Sequence, residues 1–229
     1  MSAVGGPEVI RVDTAPSVPV PPQGGVLIEV EASSLAFTDM LIRRNLYPLL
    51  KPVPPVLLGY DLVGVVRTHG AGVNAPAVGT RVAALAQIGG GQDWICLAAT
   101  ELVPLASGLD PVQAEPLILS YLTAYQALVR TAALSAGGRL LVIGASGAVG
   151  LAALDLAAAL GWHGTGVASS AREDLVRSSG ADFVPYDRGD PGQRVDAMGG
   201  RVGGFGAILG CAGAESPRRL ARRLSARGH

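Results

Sequence analysis

The sequence predicts an α/β chain in two parts, a small strand-rich barrel over residues 1–118 and a doubly wound parallel sheet over residues 119–229. Three observations carry this. Short strand-like runs recur between Gly- and Pro-bearing turns up to about residue 118. After Asp110 the hydrophobic period turns helical, and strands then alternate with helices. Where that alternation begins, LLVIGASGAVGLAALDLAAALG (140–161) sets three glycines, three residues apart, at the change from strand to helix.

Each element follows from its own pattern. VLIEVEAS (26–33) alternates apolar and polar residues, as a half-buried strand does. LVGVVRTHG (62–70) and TRVAALAQI (80–88) are apolar runs bounded by glycine, and WICLA (94–98) and LVPLA (102–106) are shorter strands. PVQAEPLILSYLTAYQALVRTAAL is helical in period, with Asp110 as N-cap and Pro111 at the first helical position. Strands are then expected at 139–143, 163–168, 181–186 and 206–212, with helices at 148–160, 171–179, 191–198 and 217–226. Such alternation implies a parallel sheet with helices on both faces.

The glycine loop carries chemistry. Gly144 permits a tight turn, Gly147 lets backbone N–H groups approach a phosphate, and Gly150 lets helix and strand pack closely. Ser146, Ala148 and Val149 complete the loop. Its position after a buried strand and at the head of a helix reads as a dinucleotide cradle, with tight packing alone as the other reading. An NAD-preferring site ends the next strand with an acid, about 20 residues on. Here that strand ends VASSAR (167–172), where Ser169, Ser170 and Arg172 suit a 2′-phosphate. The same residues also read as a solvated helix start capped by Ser170.

Composition narrows the classes. Net charge is zero, apolar residues make up 49 %, and Lys51 is the only lysine beside seventeen arginines. That balance points to neither nucleic acid nor an anionic membrane as a partner. Cys96 and Cys211 stand apart, with no disulfide framework, which fits a reducing cytoplasm. The first residues, MSAVGGPEVIRV, lack the basic and apolar regions of a signal peptide. No apolar run reaches the ~20 residues of a spanning helix.

Several motifs in one order carry a resemblance: GGPEVIRV (5–12), LAFTDMLIRRNLYP (35–48), GYDLVGVVRTHGAGV (59–73), VGTRVAAL (78–85), LTAYQAL (122–128), VIGASGAVGLAALDLA (142–157) and GADFVPYDR (180–188). The chain resembles the medium-chain dehydrogenase/reductase superfamily, in its zinc-independent quinone oxidoreductase and enoyl reductase branch. The resemblance implies a GroES-like barrel domain followed by a Rossmann domain, with NADPH as cofactor and a small-molecule substrate. It sets cofactor contacts at Thr123, the 144–150 loop, Ser169, Arg172 and Tyr186. Tyr47 matches a tyrosine that faces substrate and protonates an enolate, and reads equally as a loop aromatic packed beside Pro48. Tyr60 would line the pocket. Asp39 and Arg43 read as an i,i+4 ion pair on a short helix, and Cys211 as a core cysteine.

Zinc-dependent relatives carry a cysteine where this chain has Phe37-Thr38-Asp39 and Gly-His-Glu where it has Gly59-Tyr60-Asp61. No four-ligand cluster remains, so no metal is expected. Three further departures stand out against the family pattern. The strand before GGPEV is reduced to MSAV, the polar residue after the first long strand is Ala36, and LSARGH falls where relatives enter a fifth Rossmann strand. The strand at 206–212 is therefore expected to need cover, from the arginine-rich segment RRLARRLSARGH, a second copy or a completing partner chain. Two functions follow as expectations. One is an NADPH-dependent reductase of a quinone or an α,β-unsaturated carbonyl. The other is a homologue repurposed as a non-redox cyclase, dehydratase, isomerase or binding partner.

Overall fold

The computed structural model describes residues 1–14, 17–197 and 204–212. The chain forms two compact units, Met1–Leu119 and Ser120–His229.

The first unit is built on a five-stranded antiparallel sheet of β1 (Gly25–Ser33), β2 (Leu62–His69), β3 (Arg81–Ala84), β4 (Trp94–Ala98) and β5 (Val103–Pro104), in the order β4-β1-β2-β3-β5. Register shifts in β1, at Leu27/Ile28 and Val30/Ala32, bend the sheet towards a barrel. Val26, Ile28, Leu62, Val66, Val82, Ala84 and Ile95 fill its inner face, following the alternation visible in the sequence. β3 and β5 are shorter than their apolar runs, because the chain turns at Gln87, whose φ is 64°, and β5 pairs only through Val103 and Pro104. A separate apolar cluster joins Met1, Ile42, Leu58 and Tyr60 under helix α1 (Phe37–Arg43).

The long helical pattern after Asp110 is divided. Asp110 caps α2 (Pro111–Ala114) by accepting from the Gln113 N–H at 3.0 Å. Pro116 then starts α3 (Pro116–Tyr125), since a proline inside a helix has no N–H to continue the ladder. A wider helical turn follows over Gln126–Thr131.

The second unit holds a parallel sheet of β6 (Arg139–Ile143), β7 (His163–Ala168), β8 (Asp182–Pro185) and β9 (Ala207–Gly210), in the order β8-β7-β6-β9. Helices α4 (Ala148–Ala159), α5 (Glu173–Arg177) and α6 (Pro191–Val195) follow β6, β7 and β8 in turn. Leu140 and Val142 pack into one cluster with Ala152, Ala153, Leu154 and Ala157 of α4. Leu141 and Ile143 pack into another with Val167, Val184, Val195 and Phe205. A strand covered on both faces must be apolar along its covered length, and Leu140–Ile143 are apolar and buried after the partly exposed Arg139. The expected helix at 171–179 is a 3-10 turn, Ser170–Arg172, leading into the short α5. The expected helix at 217–226, and with it the cover assigned to the arginine-rich segment, lies outside the described residues. Among the described residues no helix is long and apolar enough to cross a membrane.

Candidate functional site

The strand order places a switch point between β6 and β9. The chain proceeds from β6 to β7 on one side, while β9 joins β6 on the other. Ligands of open α/β sheets bind outside the carboxyl ends of such strands. The glycine loop is there. Gly144 has φ 81°, and a Cβ on it would come within 2.9 Å of the Ala212 Cβ, just beyond β9. The N–H of Cys211 donates to the Ile143 carbonyl at 2.8 Å, holding those two strand ends together. A Cβ at Gly150 would stand 2.5 Å from the Gly144 carbonyl oxygen, so α4 leaves the sheet at a distance only glycine allows.

Gly147 is the N-cap of α4 and no side chain caps the helix. Leu151 N–H closes the first bond back to the Gly147 carbonyl, at 2.8 Å. The N–H groups of Ala148, Val149 and Gly150 thus precede the helical ladder, at the positive end of a twelve-residue helix. Ser146 is partly buried in the turn before it, and Gly147 and Ala148 are exposed. This open, uncapped end behind two tight glycines fits a pyrophosphate.

At the end of β7 the picture differs from the sequence reading. Ser169, not Ser170, is the N-cap residue of the 3-10 turn, and its side chain makes no cap bond. The capping oxygen comes from another strand. Asp187, two residues after β8, accepts from the Ser170 N–H at 3.0 and 3.2 Å and from the Ser170 Oγ at 2.9 Å. These bonds to Ser170 hold the Asp187 carboxyl below the usual carboxylate range. Tyr186 precedes it, 57 % exposed, with its N–H on the Ala168 carbonyl at 3.0 Å. Arg172 is exposed and forms no ion pair among the described residues. Ser169 and Arg172 thus follow the carboxyl end of β7 and Tyr186 that of the adjacent β8, where Asp187 is an acid that the sequence expectation does not include. Thr123 lies exposed on α3.

In the first unit, Tyr47 and Tyr60 meet. Their hydroxyls are 3.1 Å apart and the rings are edge-on, with centroids 6.1 Å apart and planes at 88°. Tyr60 is buried and Tyr47 half-buried. Burial, then the hydrogen bond to Tyr47, pushes the Tyr60 hydroxyl up to about 12, so Tyr60 keeps its proton at neutral pH. When Tyr60 donates to the Tyr47 oxygen, the Tyr47 O–H is left to donate elsewhere. Ala36 contributes its backbone: its N–H donates to Asp39 Oδ2 at 2.9 Å.

The expected ion pair between Asp39 and Arg43 is absent. Asp39 Oδ1 accepts from the Gly59 N–H at 2.8 Å, and Arg43 donates to the Gly5 carbonyl at 2.7 Å. Both side chains are buried, where backbone partners at fixed positions serve each one better than the other's flexible end. Cys211 is likewise not a core residue. It lies one position past β9 and is exposed.

A pair of buried acids also lies outside the sequence expectations. Asp61 (1 % exposed) and Glu115 (4 % exposed) are buried neighbours, and each has one buried oxygen, Asp61 Oδ1 and Glu115 Oε1, with no partner among the described residues. The other Asp61 oxygen accepts from the Leu119 N–H at 3.0 Å. Burial, then the hydrogen bond and charge of Glu115, pushes the Asp61 carboxyl up to about 7. The sequence signal for both is an acid set inside an otherwise apolar run. Among the described residues no group of three or more His, Cys, Asp or Glu side chains is placed to hold a metal ion.

Comparison with known proteins agrees with this architecture. The alcohol dehydrogenase GroES-like domain family matches residues 22–108. Quinone oxidoreductase of Homo sapiens is 37 % identical over 182 residues, 79 % of this chain and 55 % of that protein. The chain thus spans about half the length of the curated relatives it matches. The quinone oxidoreductase of Thermus thermophilus, solved also in complex with NADPH, is 32 % identical with a TM-score of 0.81, covering 99 % of this chain and 70 % of that one. That of Escherichia coli, complexed with NADPH, is 27 % identical with a TM-score of 0.88, covering 99 % and 69 %. By fold, matched domain and identity together, the chain belongs to the medium-chain dehydrogenase/reductase superfamily, in its quinone oxidoreductase branch.

Proposed function

We propose that this chain is the barrel and cofactor-binding part of an NADPH-dependent, zinc-independent oxidoreductase that reduces a quinone or an α,β-unsaturated carbonyl. The observation that carries the reading is the uncapped α4 N-terminus behind Gly144 and Gly150 at the sheet's switch point. That cradle suits a pyrophosphate. NADPH supplies the hydride, so the protein's share is to bind, orient and provide a proton. In this reading the N–H groups of Ala148, Val149 and Gly150 take the pyrophosphate, Arg172 pairs with the 2′-phosphate, and Tyr186 flanks it. Thr123 serves the nicotinamide side. Tyr47 holds the proton at its Oη, kept in donor orientation by Tyr60, and Ala36 and Tyr60 border the substrate. Work in the cytoplasm, and a second copy or a further chain adding a strand to the outer edge of β9, belong to the same proposal.

The test is a titration of the chain with NADPH and NADH by calorimetry. A set of quinones and enones is then assayed for NADPH oxidation with a chelator present. Saturable binding with NADPH preferred, and turnover that survives the chelator, is the expected result. Absence of binding to either nucleotide refutes the reading.

A further inference from the structure

The expected site for a 2′-phosphate counts serine hydroxyls as free donors and finds no acid at the end of β7. The folded chain changes both counts. β8 runs parallel to β7, with Ala168 beside Pro185, so the residues after each strand stay side by side. Tyr186 N–H donates to the Ala168 carbonyl, and Asp187 then lies against Ser170. Its carboxylate takes both donors Ser170 has, the N–H and the hydroxyl. A carboxylate accepts about four hydrogen bonds. Oδ1 holds one, from the Ser170 N–H, and so keeps acceptor capacity.

An acid here has a defined chemical meaning. In dinucleotide folds a carboxylate at the end of the second strand accepts from the ribose 2′-hydroxyl and repels a phosphate at that place. In this chain the acid reaches the same corner of the sheet from the third strand of the parallel unit, while Arg172 leaves the end of the second. We propose that Asp187 is a specificity-determining residue, a carboxylate that accepts an unphosphorylated ribose and opposes the 2′-phosphate that Arg172 attracts. The inference rests on the nucleotide reading of the glycine loop. Asp187 stays ionised at neutral pH, because its bonds to Ser170 favour the charged form. Arg172 and Asp187 form no ion pair with each other among the described residues, so neither charge is spent on the other. The preference for NADPH over NADH is then a balance of opposed local charges, Asp187 against Arg172 and the adjacent Arg188, and it is modest.

The experiment measures dissociation constants for NADPH and NADH by calorimetry on the full chain, as wild type, Asp187→Asn and Asp187→Glu, with melting curves to confirm folding. Removing the charge in Asp187→Asn is expected to raise the affinity ratio of NADPH to NADH by roughly tenfold, the scale of one charge near a phosphate at a solvated site. Asp187→Glu keeps the charge and is expected to hold the wild-type ratio to within about threefold, on the same scale. A purely structural role for Asp187 weakens both nucleotides in proportion and leaves the ratio unchanged. That result, or a ratio that falls, overturns the inference while the nucleotide reading stands. Wild type that binds neither nucleotide overturns the reading and the inference together.

Discussion

Replacing Asp61 with Asn separates a shared proton from ordinary packing. Asp61 and Glu115 are both buried and in contact, and each carries one orphaned oxygen. Two ionised carboxylates in that position would repel each other in a medium that solvates neither. One proton between them turns one acid into a donor and the other into an acceptor, and removes the repulsion. The folded chain therefore holds a proton that the unfolded chain releases. Asp61 rises from 3.8 to about 7 on folding, a difference of about 3 pH units. At ~1.4 kcal/mol per unit, this amounts to ~4 kcal/mol, to be read as a property of the pair.

The direction is fixed by proton counting. Between pH 3.8 and about 7 the folded state binds more protons than the unfolded state, so stability falls as pH rises. The contribution is complete below the unfolded value, is lost by the folded value, and is constant above it. In Asp61→Asn the amide oxygen still accepts from Leu119 and the amide N–H₂ donates to Glu115, so contact is kept and the titration removed. Urea denaturation followed by tryptophan fluorescence, at half-unit steps from about pH 4.5 to 8.5, compares the two proteins. The wild-type curve is expected to fall relative to the variant by up to ~1.4 kcal/mol per pH unit until about pH 7, and then to run parallel. Curves parallel throughout would refute a shared proton.

Three further outcomes follow from the proposed site. Arg172→Ala is expected to weaken NADPH roughly tenfold and leave NADH within about twofold, by calorimetry; equal losses would reject Arg172 as the 2′-phosphate partner. Tyr47→Phe is expected to lower turnover ~100-fold with nucleotide affinity unchanged, in steady-state assays; unchanged turnover would assign Tyr47 to packing alone. Gly150→Ala drives a Cβ to 2.5 Å from the Gly144 oxygen. It should cost ~1–3 kcal/mol in denaturation and abolish nucleotide binding, and a variant that binds normally would show that the close approach is dispensable.

What the sequence disclosed, and what it hid, divides by the range of the interaction. RLLVI, the glycine loop and the Asp110 cap are local, because a strand's two covered faces, a turn's positive φ and an N-cap bond all lie within a few residues. The break at Pro116 was also local and lay in plain view, but the apolar period on both sides ran through it. Asp187 was missed because its partner, Ser170, is 17 residues away and meets it only through the pairing of β7 with β8. Asp61 and Glu115 are farther apart still, and nothing in either neighbourhood signals the other. Asp39 and Arg43 show the opposite error. Their spacing is right for an ion pair, but burial gave each a backbone partner.

Those two residues also hold together the segments of the barrel unit around positions 37–39 and 59–61. Asp39 ties the two segments. One oxygen closes the first turn of α1 through Ala36, and the other takes the N–H of Gly59. Bonds from a buried carboxylate to backbone N–H contribute ~1.5–3 kcal/mol each. Gly59 has no alternative at its end of the bridge, because its φ is 102° and a Cβ there would lie 2.2 Å from the Gly91 nitrogen. Arg43 fixes the other end of the same helix: its guanidinium donates to the Gly5 carbonyl while the Gly5 N–H donates to the Arg43 carbonyl, at 3.0 Å. The next residue after Gly59 is Tyr60, whose hydroxyl meets Tyr47 across the cluster beneath α1. The place of the proposed proton donor is thus set by a carboxylate bridge two bonds long, and a side chain at 39 that cannot accept from Gly59 loosens Tyr60 before it touches any substrate.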